Sequence, residues 1–86
     1  MGLDEQIYAI IARHLEVDIS VLSREVRIRS LPNASSIQIL QIILDIEESL
    51  GIDIDEDTTF RLETLGEFQD EIARIYPPKD TRQEYV

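Results

Sequence analysis

Two adjacent hydroxyls, one histidine and a spaced run of aspartates are the side chains in this sequence whose types and spacing could do chemistry. The hydroxyls belong to Ser35-Ser36-Ile37-Gln38, which opens the most apolar stretch of the chain. Ser35 and Gln38 fit a capping box, the serine oxygen serving the third backbone N–H of a helix and the amide reaching back. Ser36 then takes the first helical position with its hydroxyl pointing outward. A phosphate ester on that hydroxyl would sit beside free N–H groups at the positive end of the helix dipole. No histidine or basic residue lies within several positions, so nothing local would activate Ser36 as a nucleophile. It reads as an attachment point acted on by another enzyme. On local sequence alone, two ordinary serines at a helix start account for the same residues.

The other constellations carry less. Asp53-x-Asp55-x-Asp57 opens like a calcium loop, but Thr58 stands where the turn needs glycine and Thr64 where a bidentate glutamate is needed. Weak, screened cation association is the most that this run implies. Glu47 and Glu48 are neighbours and point apart on a helix, so they form a solvated or docking edge and not an acid/base pair. His14 lies on the apolar side of a helix near its end, as a partly buried or capping residue. The chain has no cysteine, which removes disulfides, thiolate metal sites and a cysteine nucleophile together. With a single histidine, no metal site and no catalytic centre are expected. Eighteen acidic against eight basic residues give a formal charge of −10, which repels phosphate backbones and excludes nucleic acid as a partner. Nothing approaches the ~18 apolar residues that span a bilayer, and the start has neither a basic nor an apolar targeting region. A cytoplasmic, membrane-free monomer is expected.

These residues need elements to hold them. A chain of 86 residues is one small domain with a compact, largely aliphatic core. Leu3, Ile7, Ile10, Ile11 and His14 recur at helical spacing, with Asp4 and Glu5 in the first turn, and predict a helix over residues 3–15. A long loop from Val17 to Ala34 follows, carrying scattered aliphatics and Arg24, Arg27 and Arg29. The serine-led helix runs from Ser36 to Leu50 and stops at Gly51. One or two helical turns are expected around Thr58 to Leu62. The last helix opens on a second capping box, Thr64-Leu65-Gly66-Glu67, turns Leu65, Phe68, Ile72 and Ile75 inward, and ends before Pro77-Pro78. Residues 1–76 form the domain and 77–86 a flexible polar tail. The expected fold is all-α, a bundle of three long helices and one short one.

The serine-led helix has two apolar faces. Ile39, Ile42, Ile43, Ile46 and Leu50 make one stripe suited to a core. Ile37, Leu40 and Leu44 fall on the opposite side, with Gln41 and Glu48 among them and Glu47 at the edge. Interleaved amides and charges favour a partner surface there; packing of Leu40 and Leu44 beneath the long loop is the alternative.

A serine opening an aliphatic helix that ends Asp45-Ile46-Glu47-Glu48-Ser49-Leu50-Gly51-Ile52-Asp53-Ile54 resembles the acyl carrier protein family. The resemblance runs from about residue 5 to 76 without a gap, through Ile7, Ile10-Ile11, Leu15-Glu16-Val17, the long loop and the Thr64-Leu65 helix start. It implies an acyl-carrier-like bundle whose second-helix serine bears a 4′-phosphopantetheine arm donated by coenzyme A, with acyl or aminoacyl groups held on its thiol as thioesters. Ser36 alone stands at the right distance ahead of Ile46-Glu47-Glu48, so the attachment role falls on it. Family partners dock on the second helix, which maps onto Ile37, Leu40, Gln41, Leu44, Glu47 and Glu48. The implied partners are a phosphopantetheinyl transferase, an acyl- or aminoacyl-loading ligase and downstream biosynthetic enzymes. The chain departs from the family pattern in having Ser35 for the usual aspartate and Pro32-Asn33-Ala34 for the usual Leu-Gly-x. Gln38 and Gln41 stand where fatty-acid carriers commonly have acids, and the loop is basic. These departures imply a specialised, stand-alone carrier rather than a housekeeping one. An aminoacyl or peptidyl carrier, and an unmodified helical adaptor using the same helix face, are the rival readings.

Overall fold

A computed structural model describes residues 2–76, and the expected tail lies outside the described residues. Four α-helices follow one another: α1 (Leu3–Leu15), α2 (Ser36–Leu50), α3 (Glu56–Arg61) and α4 (Leu65–Ile75). No strand is formed among the described residues. The three longer helices begin and end within a residue of the sequence expectation. For α3 the expectation is corrected: it starts two residues early. Asp55 caps it, one carboxylate oxygen accepting from the Asp57 N–H at 3.1 Å and the other from the Thr58 hydroxyl at 2.8 Å. Those bonds, led by the Thr58 hydroxyl, hold the Asp55 carboxyl below the usual carboxylate range. The aspartate that looked like a calcium ligand is a helix cap.

The core is almost wholly aliphatic. α1 buries Ile7, Ile10, Ile11 and Leu15; α2 buries Ile39, Ile42, Ile43, Ile46 and Leu50; α4 buries Leu65, Phe68 and Ile72. The core stripe expected for α2 is therefore buried throughout, while Ile75 is only partly buried against its surroundings. The interior is closely filled. A small apolar pocket of about 20 Å³, hardly more than a water molecule needs, lies between Ile11, Leu15, Leu31, Ile39 and Phe68. Gly51 ends α2 in the left-handed region (φ 69°), where glycine has no Cβ to clash, and its N–H returns to the Glu47 carbonyl at 2.8 Å. α1 ends the same way on Glu16 (φ 58°), a residue with a Cβ and therefore some local strain.

The long loop is more ordered than the sequence suggests. It contains two short 3₁₀ turns, Ile19–Val21 and Ile28–Ser30, and buries Leu22 and Leu31. Its middle is tied antiparallel to the α3–α4 junction. The Ile28 N–H donates to the Glu63 carbonyl, the Leu65 N–H to Val26 and the Gly66 N–H to Arg24, each at 2.9 Å. Gly66 is what allows this approach: a Cβ there would lie 3.0 Å from the Arg24 carbonyl oxygen and 3.1 Å from its Cβ. Gly66→Ala is expected to lower stability by about 1–3 kcal/mol in denaturant melts, because backbone must move to admit the methyl. A loss below about 0.5 kcal/mol would mean that the tie yields freely.

Polar contacts then fix the helices against one another. The Tyr8 hydroxyl donates to the buried Gln69 side chain at 2.9 Å, joining α1 to α4. Arg24 reaches Asp70 through both carboxylate oxygens at 3.0 and 3.1 Å. Arg13 and His14 on α1 converge on one carboxylate oxygen of Asp45 on α2, His14 Nε2 at 2.8 Å. A carboxylate only accepts, so Nε2 carries the proton. The His14 bond above all, with Arg13 and Ser49 behind it, holds the Asp45 carboxyl below its usual range against the opposing effect of burial. A depressed folded value means that this contribution to stability is complete above about pH 4 and is lost as pH falls through the folded value. Asp45→Asn is expected to cost about 1 kcal/mol at pH 6–7, and the gap from the parent should narrow as pH is taken below about 4. Melts of the two proteins across that range check it; a gap that is constant with pH would deny the carboxylate its role.

Candidate functional site: the start of α2

The turn into α2 is built by Asn33 and Ser35. Asn33 takes a left-handed backbone (φ 67°), and its side-chain amide donates to the last carbonyl of α1, Leu15, at 2.9 Å. That bond anchors the entry of α2 to the exit of α1. Ser35 is the N-cap in extended conformation, its hydroxyl accepting from the Gln38 N–H at 3.2 Å. Only this half of the expected capping box forms. Gln38 does not reach back; its carbonyl oxygen Oε1 is buried without a hydrogen-bond partner.

Ser36 is therefore the first residue of α2, and it is exposed. Among the described residues its hydroxyl makes no hydrogen bond, in contrast to that of Ser35. The first backbone N–H groups of a helix lack intrahelical acceptors, so the surroundings of this hydroxyl favour an anion. An open cleft of about 500 Å³ lies between the end of α1 and the start of α2, lined by His14, Glu16, Asn33, Ala34, Ser35 and Gln38 but not by Ser36 itself. It contains no lysine or arginine. An exposed, unbonded hydroxyl at the positive end of a helix fits the phosphodiester of a tethered arm.

Along α2 the outward side chains divide. Ile37 is 69% exposed and Leu44 50%, large apolar groups that the bundle leaves in water. Gln41 and Glu48 are exposed beside them, and Leu40 is half-buried. Glu47 differs from the expectation of a purely external residue. It is half-buried, and one of its carboxylate oxygens accepts from the Ile54 N–H at 2.7 Å, bracing the segment after α2. The sequence reading missed this bond. A hint lay in the spacing: an acid seven positions ahead of a connector that must turn back over the helix end.

No family model matches this chain. Curated relatives do: it is similar to the acyl carrier proteins of Helicobacter pylori strain G27 and of strain HPAG1, each 28% identical over 67 residues. Each match spans 78% of this chain and 86% of the relative. The all-helical bundle agrees with that similarity, which relates the chain to acyl carrier proteins over most of its length. No described helix is long and apolar enough to cross a membrane.

Proposed function

We propose that this protein is a carrier, not an enzyme, and that it holds acyl groups for partner enzymes through a 4′-phosphopantetheine arm on Ser36. The observation that carries the reading is the exposed, unbonded Ser36 hydroxyl at the head of a helix whose flank shows Ile37 and Leu44 to water. Ser35 fixes the helix start, and Asn33 fixes where that start sits against α1. The arm would supply the thiol that this cysteine-free chain lacks. Ile37, Leu40, Gln41, Leu44 and Glu48 form the docking face for a phosphopantetheinyl transferase, a loading ligase and later enzymes, with Glu47 lending its edge while bracing the fold.

Gln38 and Gln41 leave the first two turns of α2 without acids, so the docking face is only weakly negative where a housekeeping carrier's is strongly so. A specialised biosynthetic pathway is the setting that this favours, and a cytoplasmic monomer is the form we propose for the carrier. The deciding experiment is intact-mass measurement after incubation with coenzyme A, magnesium and a promiscuous transferase. A gain of one phosphopantetheinyl mass supports the carrier reading. No gain, with the protein folded and a known carrier modified in the same tube, would leave the unmodified adaptor as the better account.

A further inference from the structure

Half of the six arginines described in this acidic chain surround one cleft, far along the sequence from the acids of α2. The cleft, about 450 Å³, lies between the Ile28–Ser30 turn and the α3–α4 junction, and Arg27, Arg29, Arg61, Phe60 and Glu63 line it. All three guanidinium groups belong to exposed residues. Arg27 is spoken for, paired with Glu63 at 3.2 Å. Arg29 is held in place without any carboxylate: it donates to the Phe60 carbonyl at 3.1 Å and lies over the Phe60 ring, 5.9 Å from its centroid. Arg61 makes no ion pair among the described residues, although Asp55 is near enough to feel its charge. The cleft therefore carries three positive charges against one negative, on a chain of net charge −10.

We propose that this cleft receives an acidic segment of a partner protein, with aspartate or glutamate carboxylates bridging Arg29 and Arg61. Guanidinium forks suit carboxylates bidentately, and Arg29 is pre-positioned by Phe60, so little freedom is lost on binding. A segment, rather than a single small anion, fits a cleft of this size with charges spread along its rim. The protein's overall charge repels anions at long range, so an anionic ligand gains only in direct contact with these arginines. Where a partner also docks on α2, as proposed above, it would bring apolar groups there and acids to this cleft. A partner built only for acidic carriers meets the wrong charge here. The proposal stands whether or not Ser36 is modified.

The test is a titration of ¹⁵N-labelled protein at ~100 mM salt, where long-range repulsion from the acidic chain is screened and contact pairs persist, with a hexaglutamate peptide, and in parallel with hexalysine and inorganic pyrophosphate. Hexaglutamate should give saturable shifts confined to the amides of residues 27–30 and 60–63 and to the Arg29 and Arg61 side-chain N–H groups. Binding should weaken about tenfold in Arg61→Gln, the loss of one charge-assisted contact. It should largely vanish at ~300 mM salt, where exposed charges are screened. Arg29→Lys keeps the charge but not the fork, so intermediate weakening is expected with the fold intact. Shifts scattered elsewhere, no saturation, or binding unchanged in Arg61→Gln would overturn the proposal. Pyrophosphate binding as tightly as the peptide would overturn the protein segment in favour of a small-anion site, and hexalysine binding in the same cleft would overturn it outright.

Discussion

Ser36→Ala is expected to abolish the phosphopantetheinyl mass gain completely while leaving the melting transition within about 0.5 kcal/mol of the parent. The Ser36 hydroxyl is exposed and bonded to nothing else described, so its loss should not be felt by the bundle. Ser35→Ala should behave in the opposite way. Its hydroxyl is engaged with the Gln38 N–H, so removing it should cost about 1 kcal/mol of stability yet leave modification possible. The two adjacent serines thus separate attachment from capping in one pair of variants, read by intact mass beside denaturant melts. Modification that persists in Ser36→Ala would sink the assignment.

Ile43→Ala is expected to cost about 2–5 kcal/mol, a large share of what holds so small a domain together, because its side chain is wholly buried at the centre of the core. One residue along, Leu44→Asp should change stability by less than about 1 kcal/mol, since half of Leu44 already faces water. The same charge should slow the transferase about tenfold or more, by meeting the enzyme where an apolar anchor belongs. Glu48→Lys should slow it mildly, and less so at high salt, as exposed rim charges do. Glu47→Lys should differ from Glu48→Lys in also lowering the melt, because it removes the acceptor of the Ile54 N–H. Melts beside modification rates for this panel check the division. If Leu44→Asp unfolds the protein, or is modified at the parent rate, the docking face lies elsewhere.

What could be read beforehand was whatever a single residue type announces locally. Ser35, Gly51 and the Thr64–Glu67 pair mark helix ends by chemistry that needs no distant partner, and the buried and exposed flanks of α2 follow from helical spacing. The outward Ile37 and Leu44 were legible for the same reason. The short α3 is legible in place but not in its start, because Asp53, Asp55 and Asp57 are alike as caps and only the path of the chain selects Asp55. The turn at Glu16 gave no sign, since nothing about a glutamate marks a left-handed residue. Contacts between residues remote in sequence were also hidden: His14 with Asp45, Tyr8 with Gln69, and Arg24 with Asp70. Each joins polar side chains of common types, and its partner is chosen by how the elements pack. The failure of Gln38 to complete its box is of this kind too.

The antiparallel tie between the loop and the start of α4 bears on the order of folding. Arg27 and Thr64 meet across a stretch on the order of forty residues that includes all of α2 and α3, and closing such a loop from an open chain costs about 3 kcal/mol in entropy. A few backbone bonds do not recover that until the apolar faces of α1 and α2 have already drawn the ends together. The tie should therefore be a late event, absent from the transition state. Weakening it through Gly66→Ala would then leave the refolding rate near its parent value and speed unfolding instead, so that the loop sets how long a folded molecule lasts more than how quickly it forms.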